Sequence, residues 1–106
     1  MKEQEYIEEM AMHEFKLYVI GRTQKSVEVA WNLESLLNEE LKGRYSLEVI
    51  SVLDNPEHAV EDNILVTPAL LRVSPPPKRR IIGDFSNKEE VLSELGLTAE
   101  KEGAKK

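Results

Sequence analysis

Three consecutive prolines, Pro75-Pro76-Pro77, divide two short apolar runs in the stretch Thr67 to Phe85, TPALLRVSPPPKRRIIGDF, and they constrain the fold more than any other feature. Proline fixes φ and supplies no backbone N–H, so no sheet ladder runs through the triplet. Ala69 to Val73 and Arg80 to Phe85 are short, rich in Leu, Val and Ile, and bounded by Gly, Pro and Ser, which is strand character. The chain must leave the sheet at the prolines and return, as a hairpin with a stiff connection of roughly five residues. Thr67-Pro68 stands just before the first run, where the cis form of an X-Pro bond costs only about 0.5–1 kcal/mol, and the residues alone leave cis and trans open.

Upstream, Phe15 to Ile20 reads as a strand with Phe15, Leu17 and Val19 on one face and Tyr18 and Ile20 on the other, apolar enough on both for the inside of a sheet. Thr23 is placed to cap a helix starting at Gln24. Val27, Ala30, Leu33, Leu37 and Leu41 recur at spacings of three and four and form its apolar stripe, which Trp31 borders as packing. Glu34 falls within that stripe, where it must snorkel to solvent. Lys42-Gly43 closes the helix with a basic residue and a glycine. Leu47 to Leu53 supplies a second strand, making a parallel βαβ unit. Asn55-Pro56 opens a short helix to about Asn63. After the proline hairpin, Ser86-Asn87-Lys88-Glu89 is a capping box for a last helix carrying Val91, Leu92 and Leu95, which Gly96 stops.

The order β-α-β-α-β-β-α, with a proline ahead of the third strand, is that of an α/β, thioredoxin-like fold with a mixed four-stranded sheet and helices on both faces. Residues 15–97 make one domain. Residues 1–14 read as a flexible N-terminal extension with weak helical tendency, and 98–106 as a tail with too little apolar content to pack.

A net charge of -6, with 20 acidic against 14 basic residues, argues against broad binding to nucleic acid or anionic membranes. The absence of cysteine removes disulfides, thiolate catalysis and redox exchange. No run is long enough to span a membrane, and the acidic start of the chain is unlike a secretory signal, so the expected location is cytoplasmic.

In thioredoxin-like redox enzymes the nucleophile sits where the first strand turns into the first helix. Here that position reads Gly21 to Ser26, and Thr23 and Ser26 are hydroxyls without an evident base, better suited to capping. His13 and His58 are far apart and have no thiol partner, so no metal is expected, and no glycine-rich phosphate loop exists. The concentrated cations are Lys78-Arg79-Arg80. They suit either a solvated loop protecting a sheet edge or an anchor for a carboxylate-rich partner.

The segments KLYVIGRT, LKGRYSLEVISVLDNPEHA and EDNILVTPALLRVSPPPKRRIIGDFSN, with the following EEVL, closely resemble the KaiB family from about Phe15 to Leu97. The resemblance extends to the sensor domain of the SasA histidine kinase. It implies a cofactor-free, non-enzymatic protein that docks on the N-terminal ATPase ring of KaiC, with Lys42, Arg79 and Arg80 as partner contacts and a structural cis peptide at Thr67-Pro68. It also implies a possible exchange between two folds and homo-oligomerisation in one of them, with Gly83, Asp84, Glu94 and Gly96 in the segment that sets the balance.

Three positions depart from clock-type members. Glu28 and Glu48 stand where those tend to carry basic residues, reversing charge on partner surfaces. Glu94 stands where they tend to carry glycine, and an ordinary helix former there favours the last helix by up to about 1 kcal/mol. The expectation is a chain resting in the thioredoxin-like state. Two functions follow: a module regulating a KaiC-type ATPase in a clock or in stress-related signalling, or a SasA-like sensory module tied to a histidine kinase or response regulator without KaiC. A glutathione-binding enzyme is a distant third.

Overall fold

The computed structural model of the chain describes residues 12–97. The extension expected over residues 1–14 lies outside the described residues up to Ala11, as does the tail from Thr98, while His13 and Glu14 belong to the first strand. The elements are β1 (His13–Val19), α1 (Gln24–Leu41), β2 (Tyr45–Ser51), α2 (Pro56–Glu61), β3 (Ala69–Ser74), β4 (Arg79–Ile82) and α3 (Lys88–Leu95). They form one sheet in the order β2-β1-β3-β4. The β1–β2 pair is parallel, with His13 beside Tyr45. The β1–β3 and β3–β4 pairs are antiparallel, and Arg72 faces Arg79 across the proline hairpin.

The sheet is covered on both sides because its strands alternate. Phe15, Leu17 and Val19 point to one face, where with Leu70, Ile81 and Phe85 they meet Val29, Leu33, Leu36, Leu37 and Leu41 of α1 and Val91, Leu92 and Leu95 of α3. Each fully buried side chain of this size contributes about 1.5–3 kcal/mol. On the opposite face Tyr18 and Ile50 pack with Ala59 of α2.

The buried stripe of α1 is rotated from the expected one. Val29 and Leu36 are buried, whereas Val27 is 64% and Trp31 70% exposed. The expected packing role of Trp31 therefore fails. Val27, Trp31 and Glu34 lie on a neighbouring stripe at i, i+4 and i+7 that faces solvent beside the β2 edge of the sheet, so Glu34 needs no snorkelling.

The caps differ in detail from the sequence reading. Thr23 Oγ1 accepts from the Ser26 N–H at 3.0 Å. At the other end of α1 the left-handed residue is Lys42 itself, at φ 52°, ahead of Gly43 at φ 88°. Asn55 occupies the N-cap of α2, but its amide donates to the Ser51 carbonyl instead of capping. The N-cap of α3 is Asn87, whose Oδ1 accepts from the Glu90 N–H at 3.1 Å, and not Ser86. Ser86 is taken by Asp84, whose Oδ1 accepts from both its N–H and its hydroxyl. Those bonds hold the Asp84 carboxyl below the usual carboxylate range. Gly96, at φ 77°, ends α3, and the Leu97 N–H closes the turn on the Leu92 carbonyl at 2.8 Å.

Strand ends also shift. β2 starts at Tyr45 and stops at Ser51, whose carbonyl accepts from Asp54 and Asn55 and turns the chain. β4 ends at Ile82 and not at Phe85, because Gly83 at φ 147° and Phe85 at φ 61° leave extended backbone. The Thr67-Pro68 peptide is cis, as are Ser74-Pro75 and Pro76-Pro77.

Candidate functional site

Sheet register gathers cations that are far apart in sequence. β1 begins at His13 beside Tyr45 of β2, and Glu14 lies beside Ser74 at the end of β3. The α1–β2 turn, with Lys42 and Arg44, therefore lies at the same end of the sheet as the proline loop, with Lys78 and Arg79. The His13 N–H bonds the Arg44 carbonyl at 3.1 Å, which fixes one side of this end. Four strands at about 4.8 Å spacing separate the two groups by roughly 14 Å across the edge.

Lys42, Arg79 and Arg80 are all exposed. Arg79 donates to the Glu94 carbonyl at 3.3 Å and Arg80 to the Asp62 carbonyl at 3.1 Å, so both are oriented by backbone and keep their charge unneutralised. Among the described residues the ion pairs are Lys16–Asp62, Lys88–Glu39 and Lys88–Glu40, and none includes Lys42, Lys78, Arg79 or Arg80. A cleft of about 240 Å³ lined by Glu61, Asp62, Asn63, Leu71 and Lys78 to Arg80 lies beside the ridge. Gly83 and Asp84 form the turn after β4, Glu94 is exposed in the last turn of α3, and Gly96 follows it.

Two groups that sequence reasoning missed hold this end together. Arg72 is 7% exposed and donates to the Leu95 carbonyl and to the Pro77 carbonyl, each at 3.1 Å. It ties the proline loop to the C-terminus of α3, where its charge meets the negative end of the helix dipole. The signal was its register: Arg72 shares the core face with Leu70. The second group is Asp62, which accepts from the Tyr18 hydroxyl and from Lys16 Nζ at 3.3 Å. Burial alone would raise its pKa, but the bonds from Tyr18 and Lys16 and the charges of Lys16 and Lys78 outweigh it and hold the carboxyl low. Burial first, then Asp62, pushes the Tyr18 hydroxyl well above its ordinary value.

At the strand-to-helix turn, Ser26 Oγ lies 3.1 Å from Thr23 Oγ1 and 3.3 Å from the Ile20 carbonyl, so both hydroxyls are engaged in capping. Beside it, a groove of about 720 Å³ runs between α1 and β2, lined by Val27, Trp31 and Val49 among others. Among the described residues no cluster of His, Asp and Glu is arranged to hold a metal ion, and no helix is long and apolar enough to cross a membrane.

The element order and the mixed sheet with helices on both faces define a thioredoxin-like domain, here without the thiols of redox members. Solved structures agree on the fold. The N-terminal domain of Synechococcus elongatus SasA superimposes with a TM-score of 0.67 at 24% identity, covering 80% of each chain. Fasciola hepatica thioredoxin gives 0.61 at 15% identity, covering 85% of this chain and 88% of its own. The chain belongs to the KaiB family: the KaiB domain model matches residues 16–97. The circadian clock oscillator protein KaiB of Thermostichus vulcanus is 54% identical over 88 residues, 83% of this chain and 82% of that one.

Proposed function

We propose that this chain is a non-enzymatic docking module that binds and regulates an ATPase ring of the KaiC type, engaging the ring's N-terminal ATPase domain through the basic sheet end. The observation that carries the reading is the placement of Lys42 and Arg79 at one end of the sheet, with Arg80 the next residue along β4, all three without a carboxylate partner among the described residues. Guanidinium groups oriented by backbone carbonyls are prepared for bidentate capture of carboxylates, at reduced ordering cost. The charge reversals at Glu28 and Glu48 lie on α1 and β2, away from the proline loop, and leave this ridge basic.

Copurification with the host's KaiC-type protein under ATP-hydrolysing conditions tests the reading directly. Lys42→Glu and Arg80→Glu should each weaken the complex about tenfold. Lys25→Glu, at the start of α1, should leave it unchanged. Absence of any complex with the unaltered protein would overturn the proposal.

We propose further that the resting state is the thioredoxin-like one. Glu94 lies in the last turn of α3, and Glu94→Gly should destabilise that helix by about 0.8–1 kcal/mol, read as faster amide exchange from Val91 to Leu95. NMR secondary shifts showing strand over those residues in the unaltered protein would refute the assignment.

A further inference from the structure

We infer that the cleft between the end of α2 and β4 is a two-sign recognition site, in which Lys78 and Arg80 take one carboxylate side chain of a partner and Glu61 takes a basic neighbour of that carboxylate. The site rests on the reading of the basic ridge as a docking surface and names what the ridge accepts: a paired acid and base, in preference to a run of acids. Sheet pairing first separates the three consecutive cations. Arg80 lies opposite Leu71, which lies opposite Lys16, so it stands on the face that α2 covers. Arg79 lies opposite Arg72 on the other face, where its guanidinium donates to the Glu94 carbonyl at the end of α3. Lys78 is two residues before Arg80, and its charge helps to hold the Asp62 carboxyl low. Lys78 and Arg80 thus line the cleft of about 240 Å³ together with the buried Leu71 and the segment Glu61 to Asn63.

Some charges at this cleft are already engaged and others are not. The Asp62 carboxylate accepts from the Tyr18 hydroxyl and from Lys16 Nζ. Arg80 Nη2 donates to the Asp62 carbonyl at 3.1 Å, which aims the guanidinium and leaves Nε and Nη1 as donors. Among the described residues neither Lys78 nor Glu61 makes an ion pair. A carboxylate entering here meets an ammonium and an oriented guanidinium, a charge-assisted pair of donors. A second carboxylate beside it meets Glu61 and is repelled, whereas a cation beside it is attracted. Two cations and one anion without partners, in a cleft this small, complement a ligand that carries both signs. The repulsion separates this site from a plain basic patch, because specificity depends on the penalty against the wrong ligand as much as on contacts to the right one.

Two acetylated and amidated peptides, Ala-Glu-Ala-Lys-Ala and Ala-Glu-Ala-Glu-Ala, test the site when titrated into the full chain at low salt, where exposed pairs are least screened. Residues two apart on an extended peptide share a face, so the two probes differ only in the charge that can be offered to Glu61. Backbone amides of Glu61 to Asn63 and Lys78 to Arg80 are followed beside those of Lys42 to Arg44. The expected result is that the acid–base peptide moves the cleft amides and binds about threefold more tightly than the diacid, the scale of one exposed pair. Glu61→Gln should abolish that preference. Lys78→Gln and Arg80→Gln should each weaken the acid–base peptide about threefold, and Lys25→Gln, which removes the same charge at the start of α1, should leave it unchanged. Because Arg80 also holds α2, Lys78→Gln, which breaks no ion pair within the described chain, is the decisive variant. Tighter binding of the diacid, or equal weakening by Lys25→Gln and Lys78→Gln, overturns the inference. If the peptides move only Lys42 to Arg44, the ridge still binds acids and the cleft is the wrong seat. If neither peptide moves any of these amides, the inference falls, and copurification with the KaiC-type protein, which uses no peptide, decides separately whether the docking reading falls with it.

Discussion

Replacing Arg72 by alanine should lower folding stability by about 3–5 kcal/mol, against the roughly 5–15 kcal/mol that a small domain has in all. Its guanidinium is buried between β3, the proline loop and the end of α3, and it donates to carbonyls of Leu95 and Pro77. Truncation removes those donors, leaves the buried Leu95 carbonyl desolvated at a cost of about 1–3 kcal/mol, and opens a cavity beside Leu95. Arg72→Met separates the two causes, since methionine fills most of the volume and donates nothing; its cost should be about 2–3 kcal/mol. Urea titration reads both variants as a lower midpoint with the slope preserved. Amide exchange gives the local signature: protection in Val91 to Leu95 should fall before that in β1, because Arg72 and Arg79 both hold the carbonyls at the end of α3. Equal loss of protection in β1 and α3 would mean that Arg72 supports the core as a whole and not the helix end.

The element order and the proline hairpin were legible because proline acts through the backbone, whatever surrounds it. Pro75 to Pro77 had to stand outside a ladder, and the observed register places them in the β3–β4 turn. Helix phase was harder. Val27, Val29, Ala30, Trp31, Leu33 and Leu36 give α1 two overlapping apolar stripes, and only the width of sheet beneath it decides which is buried. β2 is an edge strand, so the stripe bearing Val27 and Trp31 hangs past the sheet and stays in solvent. Adjacent capping residues posed a similar ambiguity: Ser86 and Asn87 are both good N-caps, and Asp84 decides by binding Ser86.

The site was legible only in part, for the same physical reason. Lys78-Arg79-Arg80 announces itself as a run of charge, but its alignment with Lys42 and Arg44 depends on which strands neighbour one another. Arg72 is hidden in an apolar strand, where a charged residue looks like a surface position until α3 and the proline loop are placed over it. Asp62 looks like one acid among many at the end of a short helix. Its importance comes from Tyr18 and Lys16, more than forty residues upstream, which meet it across the sheet.

Removing the Tyr18 hydroxyl, by Tyr18→Phe, should cost about 1.5–3 kcal/mol near neutral pH, the range for a hydrogen bond to a charged group. The hydroxyl donates to the Asp62 carboxylate and lies 3.2 Å from the His58 carbonyl, so its loss leaves α2 held by Lys16, by Arg80 at the Asp62 carbonyl and by the Ala59 contact. The pH dependence has opposite origins at its two ends. The Asp62 carboxyl titrates lower in the folded chain than in the unfolded one. Its contribution is complete above the ordinary Asp value of about 3.9 and is lost as pH falls through the lower folded value. The Tyr18 hydroxyl titrates higher when folded, so its contribution is complete below the ordinary Tyr value of about 10 and is lost as pH rises beyond it. Tyr18→Phe should therefore shallow the acid limb of the stability curve and remove most of the alkaline one. A residual alkaline slope should remain from Tyr45, whose hydroxyl is raised by burial and by the Glu34 charge. A double-mutant cycle with Asp62→Asn isolates the pair: a coupling energy near zero would show that Tyr18 acts through packing alone, and that the acid limb belongs to other carboxylates. Because the Asp62 backbone carbonyl also orients Arg80, loosening α2 in either variant should weaken partner binding at the basic ridge without removing any of its charges.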